Sequence, residues 1–193
     1  MDRIVLCTGN PGKVVELKAL LPAGMDLVGL RELGLPDDLP ETSPTLEGNA
    51  LQKARYVFER TGLPSVADDT GLEVDALGGA PGVRSARYAG EAKDPKANMA
   101  KLLSELQDRP VRTAQFRTVI ALVAPDGEWT FEGVVRGHIA GAPRGTGGFG
   151  YDPVFIPEGE EVTFAEMTLD RKNTMSHRSR AVQALLQHLG QVR

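Results

Sequence analysis

The chain has 193 residues, a formal net charge of −4 and a single cysteine, Cys7. The acidic balance argues against a sequence-independent nucleic-acid binder, which usually carries a basic face. A lone cysteine excludes a disulfide or a cysteine-based zinc site within one chain. No segment has the apolar length of a signal peptide or a membrane span, so we expect a cytoplasmic protein without nucleic-acid or membrane partners.

Hydrophobic periodicity and turn residues predict strands that alternate with helices first and pair as a hairpin later. The predicted elements of the first half are a strand at 3–8, a helix at 13–21, a loop at 29–43, a helix at 45–60 stopped by Gly62, and a strand that ends at Asp68 and Asp69. Those of the second half are a helix at 95–106, hairpin strands at 113–124 and 128–139, a glycine-dense loop at 141–150, a strand at 152–156, and a helix from about 176 that Gly190 ends. This order predicts an α/β protein with a mixed sheet covered by helices.

The segment SVADDTGLEV places two adjacent carboxylates, Asp68 and Asp69, after a short apolar run. Like charges this close repel, and an unpaired buried carboxylate is costly. One interpretation is a polar strand end, because Asp-Asp-Thr-Gly is good turn material. The other is a pair of acids held for chemistry, and this segment alone leaves both open.

The segment TGNPGK forms a strand–loop–helix junction with Lys13 at the start of the helix. Such a junction offers backbone N–H groups and the positive end of a helix dipole, which suit a phosphate group. It is not a Walker A loop, because only two residues separate Gly9 from Gly12 and Val14 follows the lysine. A plain strand-to-helix turn is the alternative.

The glycine-dense loop GTGGFG formally matches GxGxxG, but a strand follows it and not a helix, which rejects a dinucleotide site. Its glycines allow close approach of the backbone, and Phe149 is able to stack on a base. The alternative is a simple connection from hairpin to strand.

The segment DRKNTMSHR at 170–178 places four basic side chains in a loop before a helix start, where cations oppose the helix dipole and so predict an anion. Glu41, in the loop before the second helix, would alone be solvated surface. With Asp68 and Asp69 it supplies the hard oxygen ligands that Mg²⁺ requires. Together these segments favour hydrolysis of a nucleoside triphosphate.

Five segments closely resemble the inosine/xanthosine triphosphate pyrophosphatase family: TGNPGKVVELKALL, ETSPTLEGNALQKAR, ADDTGLEVDALGGAPGVRSARYAG, GTGGFGYDPVF and KNTMSHRSRA. The resemblance implies a single domain, residues 1–193, with an elongated α/β fold. That fold has a long mixed β-sheet flanked by helices, and two lobes with an active-site cleft between them. The resemblance also implies Mg²⁺-dependent hydrolysis of ITP, dITP and XTP to the monophosphate and pyrophosphate, by a cytoplasmic homodimer.

Carried over by position, the resemblance implies that Asp69 activates water and binds Mg²⁺ together with Glu41, while Asp68 faces away or supports the site from behind. The implied substrate-binding residues are Thr8, Gly9, Asn10, Pro11, Gly12 and Lys13 for the triphosphate, Thr70 as a further contact, Phe149, Gly150, Tyr151 and Asp152 for the base, and Lys172, His177 and Arg178 for the 6-oxo edge and the phosphates.

Two other functions stay open at this point. A related pyrophosphatase for other modified nucleotides is disfavoured by KNTMSHR, which resembles the purine-specific family. A non-catalytic nucleotide-binding sensor is disfavoured by the carboxylate set, since a pure binder gains nothing from acids that repel one another.

Overall fold

A computed structural model describes residues 3–191, which form one seven-stranded sheet and five α-helices. The strands are β1 (Arg3–Leu6), β2 (Asp26–Gly29), β3 (Ser65–Val74), β4 (Pro81–Gly82), β5 (Thr113–Ala124), β6 (Gly127–Ile139) and β7 (Phe155–Pro157). The helices are α1 (Pro11–Leu20), α2 (Leu46–Thr61), α3 (Pro95–Glu105), α4 (Leu169–Asn173) and α5 (His177–Gln191). None of these helices is long and apolar enough to cross a membrane.

The sheet is mixed, with the strand order β2-β1-β3-β5-β6-β7, and β4 pairs with β3. Strand β1 pairs in parallel with both β2 and β3, whereas β3 with β4 and β6 with β7 are antiparallel. Only two residues, Pro125 and Asp126, separate β5 from β6, as the predicted hairpin requires. The predicted α/β class, a mixed sheet flanked by helices, is confirmed.

The described residues divide into two compact units. The first unit comprises the residues up to Asp69, Thr118–Gly133 and the residues from Arg178 onward. Its core packs α1 and α5 against β1, β3 and β5, through residues that include Ile4, Leu6, Leu17, Val66, Ile120, Ala181 and Leu185.

The second unit comprises Thr70–Arg117 and Val134–His177. Its core packs α3 against the remaining parts of β3, β5 and β6 and against β7, through residues that include Leu72, Leu102, Leu106, Phe116, Ile139 and Phe155. Phe116 and Phe155 are in ring contact, with centroids 4.7 Å apart.

Capping side chains fix where the first two long helices begin. The Asn10 Oδ1 atom accepts hydrogen bonds from the backbone N–H groups of Gly12 and Lys13, at 2.9 and 3.2 Å. Helix α1 therefore begins at Pro11, two residues before the predicted start at 13. Thr45 caps α2, and Gly62 ends it in the left-handed conformation, with φ +68°, as predicted.

Strand β3 corrects one prediction, because it does not end at Asp68 and Asp69 but continues through them to Val74. Gly71 permits a close strand contact and not a turn: a Cβ atom there would lie 2.7 Å from the carbonyl oxygen of Gly82 in β4. Hydrogen bonds to a neighbouring strand therefore outweigh the local turn preference of Asp-Asp-Thr-Gly.

Four shorter features also differ from the sequence prediction. Strand β2 was not predicted, and the segment predicted as a loop at 170–178 contains most of helix α4. The Oγ1 atom of Thr168 caps that helix by accepting from the N–H of Arg171 at 3.3 Å. The strand predicted at 152–156 begins as a 3₁₀ turn, Asp152–Val154, and Gly190 lies inside α5 and does not end it.

Candidate active site

Asp68 and Asp69 contact different partners, because successive strand residues point to opposite faces. The Oδ2 atom of Asp68 lies 3.2 Å from Lys13 Nζ and accepts a hydrogen bond from Arg178 Nη2 at 3.0 Å. The Oδ1 atom of Asp69 lies 3.2 Å from Lys53 Nζ. Each acid has its own cations, which explains how two adjacent carboxylates are both buried.

Arg178 joins α5 to α1 and β3 through buried charges of the first unit. Its Nε and Nη2 atoms donate to Asp68 Oδ2 at 3.2 and 3.0 Å, and its Nη1 atom donates to Glu16 Oε2. The Arg178 side chain is 1% exposed. Burial alone would raise the pKa of the Asp68 carboxyl, but Lys13 and Arg178 outweigh it and hold that pKa well below its usual range.

Lys53 of α2, which sequence reasoning missed, lies at the centre of the other acidic group. Its ammonium donates to Glu41 Oε1 at 2.6 Å, to the Asp68 carbonyl oxygen at 2.7 Å and to Asp69 Oδ1 at 3.2 Å. Burial lowers the pKa of this amine, but the charges of Asp69 and Glu41 outweigh it and raise the pKa. A signal was present, because Lys53 shares the buried stripe of α2 with Asn49 and Ala50, and a lysine there needs a buried partner.

Asp69 is a nearly buried carboxylate of strand β3. Burial is the strongest influence and raises the pKa of its carboxyl, although Lys53 and Lys13 act in the opposite direction. The Asn49 Nδ2 atom donates to Asp69 Oδ2 at 3.3 Å, so both carboxylate oxygens are oriented by α2. Thr70, the next residue, keeps partial exposure at the start of the second unit.

The Lys13 side chain, and not the backbone N–H groups, connects the segment from Thr8 to Lys13 to the carboxylates. The N–H groups of Gly12 and Lys13 donate to Asn10, as described above, and the N–H of Asn10 donates to Thr8 Oγ1 at 3.2 Å. The Lys13 side chain is 15% exposed, and its ammonium lies 3.2 Å from Asp68 Oδ2. Burial lowers the pKa of this ammonium, although Asp68 acts in the opposite direction.

Gly9 and Pro11 complete this segment. A Cβ atom at Gly9 would lie 2.6 Å from the carbonyl oxygen of Asp37, so only glycine fits beneath the 35–38 loop. Pro11 is exposed at the first position of α1, where its missing N–H costs nothing.

The second unit holds a separate group around Lys172 and Asp152. The Lys172 ammonium lies 2.6 Å from Asp152 Oδ2, and both side chains are 3% exposed. The same oxygen accepts the N–H of Phe149 at 2.8 Å. Lys172 Nζ also lies 5.2 Å from the centroid of the half-buried Phe149 ring, which places a cation and an aromatic face side by side.

The structure places the remaining predicted base-binding residues in or beside the core of that unit. Tyr151 is buried, and its hydroxyl donates to the Ser85 carbonyl oxygen at 2.9 Å. His177 stacks on Phe116, with ring centroids 4.6 Å apart. Gly150 adopts φ +61°, which favours glycine.

The structure thus brings the predicted residues together in two groups, one in each unit. The first group is Lys13, Glu41, Asp68, Asp69 and Arg178, with Lys53 and Glu16 added. The second is Phe149, Asp152 and Lys172. Arg178 contacts Asp68 and Glu16 in the first group, and its predicted contact with a purine stays a prediction.

Glu41 and Asp69 fit the donor set of Mg²⁺. Among residues 3–191 there is no group of three histidine, cysteine or acidic side chains that could hold a metal ion. Mg²⁺ nevertheless binds proteins through one or two carboxylates, completing its shell with water and substrate phosphates. In the structure a cation, the Lys53 ammonium, already lies against an oxygen of both acids.

Comparison with known proteins identifies the family of this chain and its fold. The Ham1 family model matches residues 4–188. A relative from Porphyromonas gingivalis named dITP/XTP pyrophosphatase is 54% identical over 186 residues, 96% of either chain. A Bacillus subtilis relative of the same name is 48% identical over 189 residues, again 96% of either chain.

Solved structures agree with the sequence relatives. The Ham1 protein of Staphylococcus aureus has a TM-score of 0.89 and 39% identity, with all of both chains covered. The dITP/XTP pyrophosphatase of Mycobacterium abscessus has a TM-score of 0.77 and 47% identity, covering 95% of this chain and 98% of its own. The chain belongs to the Ham1 family, which confirms the resemblance and the expectation of a hydrolytic enzyme.

Proposed function

We propose that this chain hydrolyses non-standard purine nucleoside triphosphates, such as ITP, dITP and XTP, to the monophosphate and pyrophosphate in a Mg²⁺-dependent reaction. The observation that carries the proposal is Asp69, a nearly buried carboxylate of raised pKa held between an amide and an ammonium group. The relatives named dITP/XTP pyrophosphatase support the same substrate class. Such an activity would remove deaminated purines from the nucleotide pool.

Asp69 is suited to take a proton from water, because a general base works best when its pKa lies nearer the working pH than that of an ordinary carboxyl. In the proposed reaction the water oxygen bonds to the α-phosphorus and its proton passes to Asp69. The bond between the α-phosphorus and the bridging oxygen then breaks, and pyrophosphate leaves. Asn49 and Lys53 support this role because they fix the orientation of the carboxylate.

We assign Glu41 and Asp69 as the residues that would hold Mg²⁺. When bound, the ion supplies positive charge to the phosphate oxygens. The role of the protein is to hold the two carboxylates close together, and the Lys53 ammonium, 2.6 Å from Glu41 Oε1 and 3.2 Å from Asp69 Oδ1, links them.

Lys13 is the proposed triphosphate ligand of the 8–13 segment. Its side chain is partly exposed, and its ammonium is oriented by Asp68, which Arg178 contacts in turn. A flexible lysine held in this way loses less side-chain entropy when it binds a phosphate. Thr8, Asn10 and the glycines would shape the loop around the same groups.

Recognition of the purine is assigned to the group around Lys172. Phe149 would stack on the base, and Lys172 would donate to the 6-oxo oxygen. Adenine presents an amino group at that position, so the lysine would lose its acceptor against ATP. His177 and Arg178 are proposed to contribute near the 6-oxo edge and the phosphates, and Gly150, Tyr151 and Asp152 to shape the base site.

The resemblance further supports a cytoplasmic homodimer with two lobes in a single domain. Gel filtration with light scattering tests the dimer, which predicts a mass of twice 20.7 kDa.

Product analysis tests the proposed activity. The protein is incubated with ITP, dITP, XTP, GTP or ATP, with Mg²⁺ or with a chelator, and nucleotides, pyrophosphate and phosphate are quantified. We expect equimolar monophosphate and pyrophosphate from the first three, little turnover of GTP and ATP, and none with chelator. Release of phosphate together with a nucleoside diphosphate, or nucleotide binding without turnover, would contradict the proposal.

A further inference from the structure

Lys53 is a buried cation placed between the two carboxylates assigned to the metal. Its side chain is 7% exposed, and Glu41 and Asp69 are 20% and 10% exposed. The ammonium has three N–H donors, and three oxygens lie within 3.2 Å of it, on Glu41, Asp69 and the Asp68 backbone. The Lys53 ammonium is therefore surrounded by oxygens as a bound cation would be, and the lysine side chain supplies its charge.

We infer that the Lys53 ammonium is an internal competitor for the divalent cation at Glu41 and Asp69, and that it keeps metal affinity low until the nucleotide arrives. The inference rests on the proposed function, which supplies the metal and its two ligands. It adds a role for Lys53 that concerns the protein without substrate.

Charge counting gives the reason. The two carboxylates and the ammonium sum to −1, so a divalent ion would leave this group at +1. Without the ammonium the two carboxylates and the ion would sum to zero. A buried group with excess positive charge is unfavourable, and phosphate oxygens are the anions that would neutralise it. Metal and triphosphate are therefore expected to bind together.

The backbone contact explains why the ammonium does not simply move away. Its hydrogen bond to the Asp68 carbonyl, at 2.7 Å, ties it to β3 whatever happens at the carboxylates. The lysine stem is packed in the buried stripe of α2, so its reach is limited. A metal ion therefore meets a cation that stays close by.

The test is the affinity of the nucleotide-free protein for Mn²⁺, measured by electron paramagnetic resonance and repeated with Mg²⁺ by calorimetry. Lys53→Met removes the charge and retains most of the volume. We expect it to bind Mn²⁺ at least about tenfold more tightly than the wild type, because one like charge within a few ångströms is lost. Unchanged or weaker binding overturns the inference.

Two controls accompany this variant. Lys53→Arg retains the cation and Lys18→Met removes an exposed lysine of α1, so both should stay within about threefold of the wild type. A gain for Lys18→Met equal to that for Lys53→Met would mean a general charge effect and would also overturn the inference.

Lys53→Gln decides the matter if Lys53→Met does not fold, since its amide still donates a hydrogen bond but carries no charge. Its Mn²⁺ affinity should also rise about tenfold, and no rise counts against the inference. Failure here is distinguishable from failure of the proposed function. If the wild type releases pyrophosphate but the variants bind Mn²⁺ no more tightly, only the role of Lys53 is rejected. If the variants bind Mn²⁺ more tightly but the wild type shows no turnover, only the proposed reaction is rejected.

Discussion

Replacing Arg178 by methionine separates a structural role from the substrate contact that the sequence predicts. The guanidinium donates to Asp68 Oδ2 at 3.0 and 3.2 Å and to Glu16 Oε2. All three side chains are nearly inaccessible, with 1% of Arg178 and none of Asp68 exposed. The substitution would remove the cation that both buried carboxylates contact.

Removing one partner of a buried ion pair typically costs about 3–5 kcal/mol, since the remaining charge stays desolvated. Asp68 keeps Lys13 at 3.2 Å, which limits the loss on that side. We therefore expect Arg178→Met to lower the free energy of unfolding by about 3–5 kcal/mol at pH 7.

Urea unfolding followed by the fluorescence of Trp129, the only tryptophan, measures this change. Arg31→Met is the matched control, because Arg31 also donates to an aspartate, Asp37, but its side chain is 83% exposed. The control should leave the urea midpoint close to that of the wild type, because an exposed ion pair is screened by water. The reasoning is refuted if Arg178→Met also stays within about 1 kcal/mol of the wild type. An accompanying collapse of ITP affinity would then assign Arg178 to substrate binding.

Two further predictions concern the purine. Phe149→Ala should weaken binding of every purine nucleotide by about 1–3 kcal/mol through lost stacking on the base. An unchanged Kd for ITP would show that the Phe149 ring only packs against the protein. Lys172→Met should reduce the preference for ITP over ATP by about tenfold or more, with a much smaller change in ITP over GTP, since guanine shares the 6-oxo group. Values of kcat/KM for the three nucleotides check this prediction. An unchanged ITP/ATP ratio would indicate that Lys172 contacts the phosphates and not the base.

The elements that local patterns specify were predicted well. Helix α2 begins after Thr45 and ends at Gly62, and the hairpin turns at Pro125 and Asp126, because capping and turn residues act over a few positions. Elements that depend on distant partners were missed or misplaced. Strand β2 exists through its pairing with β1, and β3 continues past Asp69 because β4 pairs with it.

The candidate site shows the same division. Single motifs indicated Lys13, the Asp68–Asp69 pair and the basic segment at 170–178, and the family resemblance then selected Asp69 and Lys172. Neither predicted which cation would contact which acid. Lys53 and Glu16 were missed because each is an ordinary helix residue in sequence, and only the fold brings them to Asp69 and Arg178. A charged position on the mostly apolar buried stripe of α2 is the signal that would have indicated Lys53.

The most direct test of the proposed reaction is turnover by Asp69→Asn, with Asp108→Asn as the exposed control. The amide retains the volume but cannot take a proton from water, so kcat for ITP at saturating Mg²⁺ should fall about 10²–10⁴-fold. The variant should stay folded, since Lys53 keeps Glu41 as a partner at 2.6 Å, and the thermal unfolding transition checks this. The control should match the wild type. Turnover by Asp69→Asn within about threefold of the wild type would contradict the assignment of Asp69 as the base.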